Sequence, residues 1–316
     1  MARIVVALGG NALQANPKDT SAEAQLITCH ETAKAIVDLI EDGHEVIIAH
    51  GNGPQVGQIV ATYEAANAVD ESKPVMPFPE CGAMSQGYIG YHLQQVIREE
   101  MRRRDINKEI AAVVTQVIVD KDDPGFKNPT KPVGSFFTEE QAKKLMAEKG
   151  YVMKEDAGRG WRRVVASPMP KAVVEEGIVR TLVEAGHVVI TVGGGGIPVI
   201  QREDGSLEGV AAVIDKDLAS EKIAELLNAD ELVILTAVEQ VAINFNKPDQ
   251  LNLATLNSME AKRYIEEGHF APGSMLPKVK AALMFAESKE GRKAIITSLE
   301  KAREALAGKT GTVITK

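Results

Sequence analysis

Short apolar runs alternate along this 316-residue chain with longer stretches whose apolar positions recur at helical spacing. Residues 4–8 form an unbroken, largely β-branched run closed by Gly9-Gly10, the pattern of a strand buried on both faces of a parallel sheet. From 22 to 42, Leu26, Ala33, Ile36, Val37 and Ile40 fall on one helical face, and Gly43 stands where a C-cap would end the helix. The alternation continues with a strand at 45–49, helices at 56–68 and 86–104, and a strand at 110–119. It breaks over 120–163, where Pro, Gly, Lys and Asp accumulate and the chain reads as a long irregular insertion, of a kind that is usually functional or disordered. It resumes with a helix at 171–184, a strand at 188–192, a helix at 218–227 and a strand at 232–236. A helix after Pro277 and strands at 294–297 and 312–315 complete the pattern. The alternation predicts an α/β sandwich built on central parallel strands, with a second lobe beginning near Asp230.

Composition narrows the partners. Hydrophobic residues at 44% and charged residues at 25% are globular proportions. Thirty-six Lys and Arg against 44 Asp and Glu leave a net charge of −8, which opposes attraction to nucleic-acid phosphates or anionic lipid. Neither nucleic acid nor membrane is expected as a partner, and an anionic ligand must be drawn in by a local cationic site. Cys29 and Cys81 are too isolated for a zinc cluster or a disulfide scaffold. The apolar run at 4–8 is too short for a signal peptide, and no stretch approaches the ~18 apolar residues of a spanning helix. A cytoplasmic protein is expected.

Four glycine-rich turns follow apolar strands: Gly9-Gly10-Asn11, Gly51-Asn52-Gly53-Pro54, the glycines at 193–196, and Gly273-Ser274. At the C-terminal edge of a parallel sheet, such turns let backbone N–H groups approach phosphate oxygens. Known fingerprints fail. Gly268 to Gly273 is followed by Ser274-Met275 rather than by the Lys of a P-loop, and Gly57 comes one residue too late to complete a dinucleotide motif begun at Gly51 and Gly53. Protein-kinase signatures are absent. Three lysines remain as phosphate ligands: Lys216 in Asp215-Lys216-Asp217 at a helix start, Lys278 after Pro277 at another, and Lys131 between Pro129 and Pro132. No histidine pair has metal-ligand spacing, and His50 reads as structural. The segment from Glu155 to Arg163, with the single tryptophan, reads as a lid hinge or subunit contact.

Taken together, Ala7-Leu8-Gly9-Gly10-Asn11, His50 to Gly57, Asn128 to Gly134, Glu155 to Trp161, Asp215 to Asp217 and Phe270 to Lys278 closely resemble the carbamate kinase family of the amino-acid kinase superfamily. Ala7 stands where other branches of that superfamily often have lysine. The resemblance implies an open α/β/α sandwich on a mainly parallel central sheet in two lobes, 1–228 for the carbamoyl group and 229–316 for nucleotide, with a small protruding subdomain around 120–163, and a homodimer. It implies an enzyme interconverting ATP plus carbamate with ADP plus carbamoyl phosphate, and Mg²⁺ carried on the nucleotide phosphates without protein ligands. By motif match, Lys131, Lys216, Lys278 and Asp217 would be catalytic, and Gly9, Gly10, Asn11, Gly51, Asn52 and Gly53 would hold the small substrate. Gly195, Gly196, Thr236, Ala237, Val238, Gly273, Ser274, Met275 and Lys278 would bind nucleotide. A sibling kinase for another small carboxylate, or a non-catalytic nucleotide or metabolite sensor, would share the glycine turns.

Overall fold

The computed structural model describes residues 2–16, 19–156 and 158–316, with Ser135 described by its backbone; Ala157, within the Glu155 to Trp161 motif, lies outside the described residues. In chain order, the first half comprises β1 (Arg3–Leu8), α1 (Ala22–Glu41), β2 (Glu45–His50), α2 (Gly53–Val69), α3 (Phe78–Arg103), β3 (Ile110–Ala112) and β4 (Gln116–Val119). The inserted segment follows as β5 (Lys131–Phe137), α4 (Glu139–Lys149), β6 (Met153–Glu155) and β7 (Trp161–Val165). Next come β8 (Pro170–Val173), α5 (Glu176–Glu184), β9 (Val188–Ile190), β10 (Ile197–Gln201), β11 (Leu207–Gly209), α6 (Lys216–Leu226) and β12 (Glu231–Thr236). The chain ends with β13 (Val241–Ile243), β14 (Leu251–Leu253), β15 (Thr255–Asn257), α7 (Ser258–Glu266), α8 (Met275–Ser288), β16 (Lys293–Ser298), α9 (Ala302–Leu306) and β17 (Thr312–Thr315).

Eight strands form one sheet in the order β15-β17-β16-β12-β1-β2-β9-β3, parallel except where β17 runs against β16. Alternate side chains of β1 enter different cores. Val5 and Ala7 join Ile47, Leu232 and Ile234 against α6 and α8, whereas Ile4, Val6 and Leu8 join Ile48, Val233 and Leu235 against α1 and α3. A strand covered on both sides has no polar face, so its sequence is a continuous apolar run. This is the expected α/β/α sandwich. β1 is its seam, paired with β2 on one side and with β12 on the other. No helix among the described residues is long and apolar enough to cross a membrane.

Three local expectations need correction. The stretch expected to be a helix from 171 begins as strand β8, antiparallel to β4, and turns helical only at Glu176. The single strand expected at 110–119 is two, β3 in the main sheet and β4 in a second sheet of order β11-β10-β4-β8. The break is held by Gln86, whose Nε2 donates to the Thr115 carbonyl at 3.0 Å while its Oε1 accepts the Thr115 N–H at 2.8 Å. The insertion is not irregular. It folds as an antiparallel β5-β7-β6 sheet with α4, whose N-terminus is closed by a reciprocal capping box between Thr138 and Gln141.

Glu221 on α6 is only 2% exposed, and its Oε2 has no hydrogen-bond partner. Burial pushes its carboxyl up to about 7. The folded value therefore lies above the unfolded one, so the fold holds the proton more tightly and loses stability as pH rises from about 4.5 through 7. Glu221→Gln is expected to match the parent's melting temperature near pH 4 and to exceed it by roughly 2–5 °C at pH 8.5. Equal melting curves at both pH values would refute the buried charge.

Candidate active site

Because β1, β2 and β12 are parallel and in register, with Leu8 beside His50 and Ala7 beside Ile234, their C-terminal ends deliver three turns to one edge of the sheet. That edge is where an open parallel sheet binds ligands. Gly9-Gly10-Asn11 leaves β1 as a turn of 3-10 helix, and a Cβ on Gly9 would stand 2.8 Å from the Leu235 carbonyl oxygen, so only glycine allows the two strand ends to lie this close. Asn52 caps the start of α2, with its buried Nδ2 donating to Ser85 Oγ at 2.8 Å. His50 is buried, its Nδ1 is 2.9 Å from the Gly51 carbonyl oxygen, and burial pushes its pKa down to about 4. It is a neutral imidazole donating from Nδ1, the structural role expected of it.

The three lysines meet. Asp215 caps α6, its Oδ1 accepting the Asp217 N–H at 2.9 Å. Its other oxygen accepts from Lys131 Nζ at 2.6 Å, across 84 residues of chain. Two residues on, Asp217 accepts from Lys216 Nζ at 2.6 Å on Oδ1 and from Lys278 Nζ at 2.9 Å on Oδ2. Asp217 is 2% exposed and Lys216 is 9% exposed, so these are charges taken out of water, retained only because they neutralise one another. Burial works against the Asp217 charge, but the ammonium groups of Lys216 and Lys278 outweigh it and hold the carboxyl well below the usual carboxylate range. The lysines share that carboxylate unequally. Burial, together with repulsion from Lys278, pushes Lys216 down to about 8, despite the pull of Asp217. Lys278 is desolvated too, yet Asp217 outweighs this and holds it above the ordinary lysine value. Three ammonium groups on two carboxylates leave a positive surplus on a chain of net charge −8.

This cluster borders a cavity of about 1020 Å³. Gly9, Gly10, Asn11, Lys216 and Lys278 line it near the β1 turn, and Thr236, Ala237, Val238, Ser274 and Met275 line it farther out. Asp217 and Lys131 are not lining residues: Asp217 is bonded to the lining lysines Lys216 and Lys278, and Lys131 to Asp215. Gly51 packs against the Lys216 side chain, a Cβ there lying 3.4 Å from its Cδ, so the second glycine turn reaches the cluster through the aliphatic stem of Lys216. Gly53 faces the Pro132 carbonyl of β5. Gly273 is not part of the cavity lining.

Gly195 and Gly196 depart from the nucleotide-binding expectation. They are buried away from the cavity, and a Cβ on either would stand 2.2 Å from the Ile214 carbonyl oxygen or from Val117 Cγ2. Their neighbours Gly193 and Gly194 make room for the ring of His50 and the amide of Asn52. With φ of 67°, 92° and 81° at Gly194, Gly195 and Gly196, the run is a left-handed turn packed against His50, Asn52, Ile214 and Val117.

Sequence reasoning missed Arg159, Asn244, Phe245, Lys247 and His269, which also line the cavity. Arg159 had a signal: it sits between Gly158 and Gly160, both at positive φ, at the tip of the inserted subdomain. It pairs with Asp156 at 2.7 Å and lies over the Phe136 ring at 5.1 Å. Asn244 and Phe245 lie in the β13–β14 connection, where nothing distinguishes them from an ordinary polar turn.

A model of the amino acid kinase family matches residues 2–298. The chain is 62% identical over 314 residues to the carbamate kinase of Clostridium perfringens, covering 99% of this chain and 100% of that protein. It is 58% identical to the carbamate kinase-like protein YqeA of Escherichia coli, covering 99% and 98% of the two. Among solved structures it is similar to the carbamate kinase from Giardia lamblia bound to AMP-PNP, with a TM-score of 0.89 and 44% identity over 100% of this chain and 98% of that one.

Proposed function

Since the chain belongs to the amino acid kinase family, and within it to the carbamate kinases, we propose that its lysine cluster carries a phosphoryl group between ATP and carbamate. It is a phosphotransferase, and its reaction is the reversible conversion of ATP and carbamate into ADP and carbamoyl phosphate. The observation that carries the mechanistic reading is the convergence of Lys131, Lys216 and Lys278 on Asp215 and Asp217 beside the large cavity.

Phosphoryl transfer asks the protein for in-line placement and for positive charge around three equatorial oxygens. An anionic carbamate oxygen attacks the γ-phosphorus from the side of the Gly10-Asn11 and Gly51-Asn52-Gly53 turns, and the electrons of the breaking bond leave on the bridging oxygen to ADP. Carbamate is already an anion, so no general base is required. Lys216 and Lys278 neutralise the transferring group, Asp217 fixes both, and Lys131 approaches from the subdomain. The nucleotide extends along Thr236, Ala237, Val238, Ser274 and Met275, with Arg159 above its phosphates.

Among the described residues no three His, Cys, Asp or Glu side chains are grouped to hold a metal, and Asp215 and Asp217 are already engaged by lysines. This donor set suits Mg²⁺ that arrives on nucleotide phosphate oxygens and keeps its remaining waters. Bound there, it would offset phosphate charge. The enzyme acts in the cytoplasm on small molecules, as a homodimer with a carbamoyl lobe over 1–228 and a nucleotide lobe over 229–316; sedimentation measures the assembly.

The direct experiment is to mix the protein with carbamoyl phosphate and Mg-ADP and assay ATP. Rapid ATP formation is expected. Its absence, with efficient phosphorylation of acetylglutamate or aspartate, would reassign the site to a sibling kinase, and nucleotide binding without any transfer would leave a sensor.

The position of Lys216 near pH 8 gives a second test. An ammonium pushed down to about 8 is only partly charged at pH 8, and a polyphosphate beside it favours the charged form. ATP binding at pH 8 is therefore expected to take up a fraction of a proton. Calorimetry in buffers of different ionisation enthalpy reads this directly; heats independent of buffer would mean that Lys216 is fully charged beforehand.

A further inference from the structure

One face of α2 is a track for the inserted subdomain. Gly53, Gly57, Val60 and Glu64 recur at helical spacing, and each meets that subdomain. Gly53 faces the Pro132 carbonyl, a Cβ there lying 3.7 Å from its oxygen. At Gly57 the backbones touch, since a Cβ would come within 2.1 Å of Gly134 Cα and N. Val60 packs with Val133 and Val165 in a small separate core that also holds Val56, Cys81 and Val213. Glu64, at the far end, gathers the subdomain's polar groups: its Oε1 accepts from Arg163 Nη1 at 3.2 Å, its Oε2 accepts from the Tyr151 hydroxyl, and Lys149 stands 3.5 Å away. The Arg163 guanidinium is held between two rings, 3.8 Å from the Tyr151 centroid and 5.0 Å from that of Phe78 at the start of α3. Burial and the Glu64 hydrogen bond both push the Tyr151 hydroxyl above its ordinary value, so it stays a donor to that carboxylate.

From this geometry we infer that Glu64 is a positioning residue, clasping the subdomain through Arg163 and Tyr151 so that Lys131 is held in register with the substrate turn at the other end of the same helix. The physical basis is leverage along one rigid element. The N-terminus of α2 carries Asn52 and Gly53, its middle bears β5, and β5 begins with Lys131. Lys131 meets the cation cluster through its pair with Asp215, the contact that substrate phosphate would compete for, while its strand is seated on the α2 face and, through its partner β7, on the segment at 212–213. A clasp remote from the phosphate keeps the strand seated while Lys131 exchanges Asp215 for substrate. The inference rests on the assignment of Lys131 to phosphoryl transfer, and extends it to a residue outside the cavity.

The test uses the full-length enzyme. In Glu64→Ala, hydrogen exchange should quicken at least about tenfold in the peptides of β5 and β7 while β1, β2 and β12 keep their protection. Turnover should fall by about 10- to 100-fold, as expected for a misplaced catalytic group. Affinity for Mg-ADP should stay within a few-fold, because Arg159 is the subdomain's one residue in the described cavity lining, and the β1 turn, Thr236 to Val238, and Ser274 to Lys278 stay in place. Glu64→Gln, which retains an acceptor for Tyr151 and loses the ion pair with Arg163, should fall between the parent and Glu64→Ala. In a Lys131→Ala background, Glu64→Ala should lower turnover no further, since it acts through Lys131. Losses that add, unchanged exchange in the subdomain, or loss of protection throughout the central sheet would each overturn the clasp. If Lys131→Ala alone keeps full turnover, it is the role of Lys131 that fails, and the exchange data still decide whether Glu64 holds the subdomain.

Discussion

Lys216→Ala is expected to lower turnover by at least about 10²-fold while the protein remains folded, the loss typical of removing one preorganised donor to the transition state. Lys216 is the point where the parts of the site touch: its stem packs on Gly51, its ammonium sits on Asp217, and it lines the cavity beside Gly10 and Asn11. Removing it does not orphan the carboxylate, because Lys278 still pairs with Asp217 at 2.9 Å, and it relieves the desolvation of a nearly buried ammonium. Stability should therefore move little even as turnover collapses, which separates this variant from one that merely unfolds. Turnover and melting temperature measured on the same preparation decide it. A variant with near-parental turnover would remove Lys216 from the chemistry.

Lys131→Ala should also lose about 10² in turnover, but with binary Mg-ATP affinity kept within a few-fold. Lys131 comes from the inserted subdomain, is bound to Asp215 and is not among the cavity-lining residues. In the proposed role its charge is applied to the transferring group once substrate displaces that pairing, so its removal should weaken the transition state more than the ground state. Asp215 would keep its capping bond to the Asp217 N–H, and α6 would keep its start. Steady-state kinetics with calorimetric nucleotide binding read the two effects separately. Equal losses in both would make Lys131 an ordinary nucleotide contact, and no loss would make it a bystander.

The main sheet is legible in the sequence because β1, β2 and β12 are covered on both faces and so read as unbroken apolar runs. The lysine cluster is legible for a chemical reason: a lysine at a helix start beside a glycine turn implies an anion, even though the residues are far apart in the chain. What hides is structure decided elsewhere. In the stretch at 110–119 only the polar pair Thr115-Gln116 interrupts the apolar residues, too little to mark a change of sheet, because the backbone at Thr115 is satisfied by the side chain of Gln86 from α3. The start of β8 shares its apolar spacing with the helix behind it, Val173 lying in the same core as Val179 and Val183, and periodicity cannot divide them. The subdomain strands are short and unevenly buried, so they show neither a two-residue alternation nor a continuous run. The glycines at 193–196 look like a phosphate turn because left-handed backbone needs glycine whether ligand or protein lies opposite; here it is His50 and Asn52.

The position of β1 as the seam also bears on the order in which the protein can be made. β1 emerges first from the ribosome and finds β2 soon after, yet its other edge waits for β12; the bond from the Arg3 N–H to Asp230 at 2.7 Å closes across 227 residues of chain. Through most of synthesis the nascent chain therefore carries an apolar strand with an open row of hydrogen-bonding groups, the kind of edge that recruits strands from other chains. Completion of β12 at Thr236 seals β1 and passes the open edge outward to β12, which waits in turn for β16, so the exposed edge migrates along the sheet as synthesis proceeds and the seam strand itself is protected well before the chain is finished.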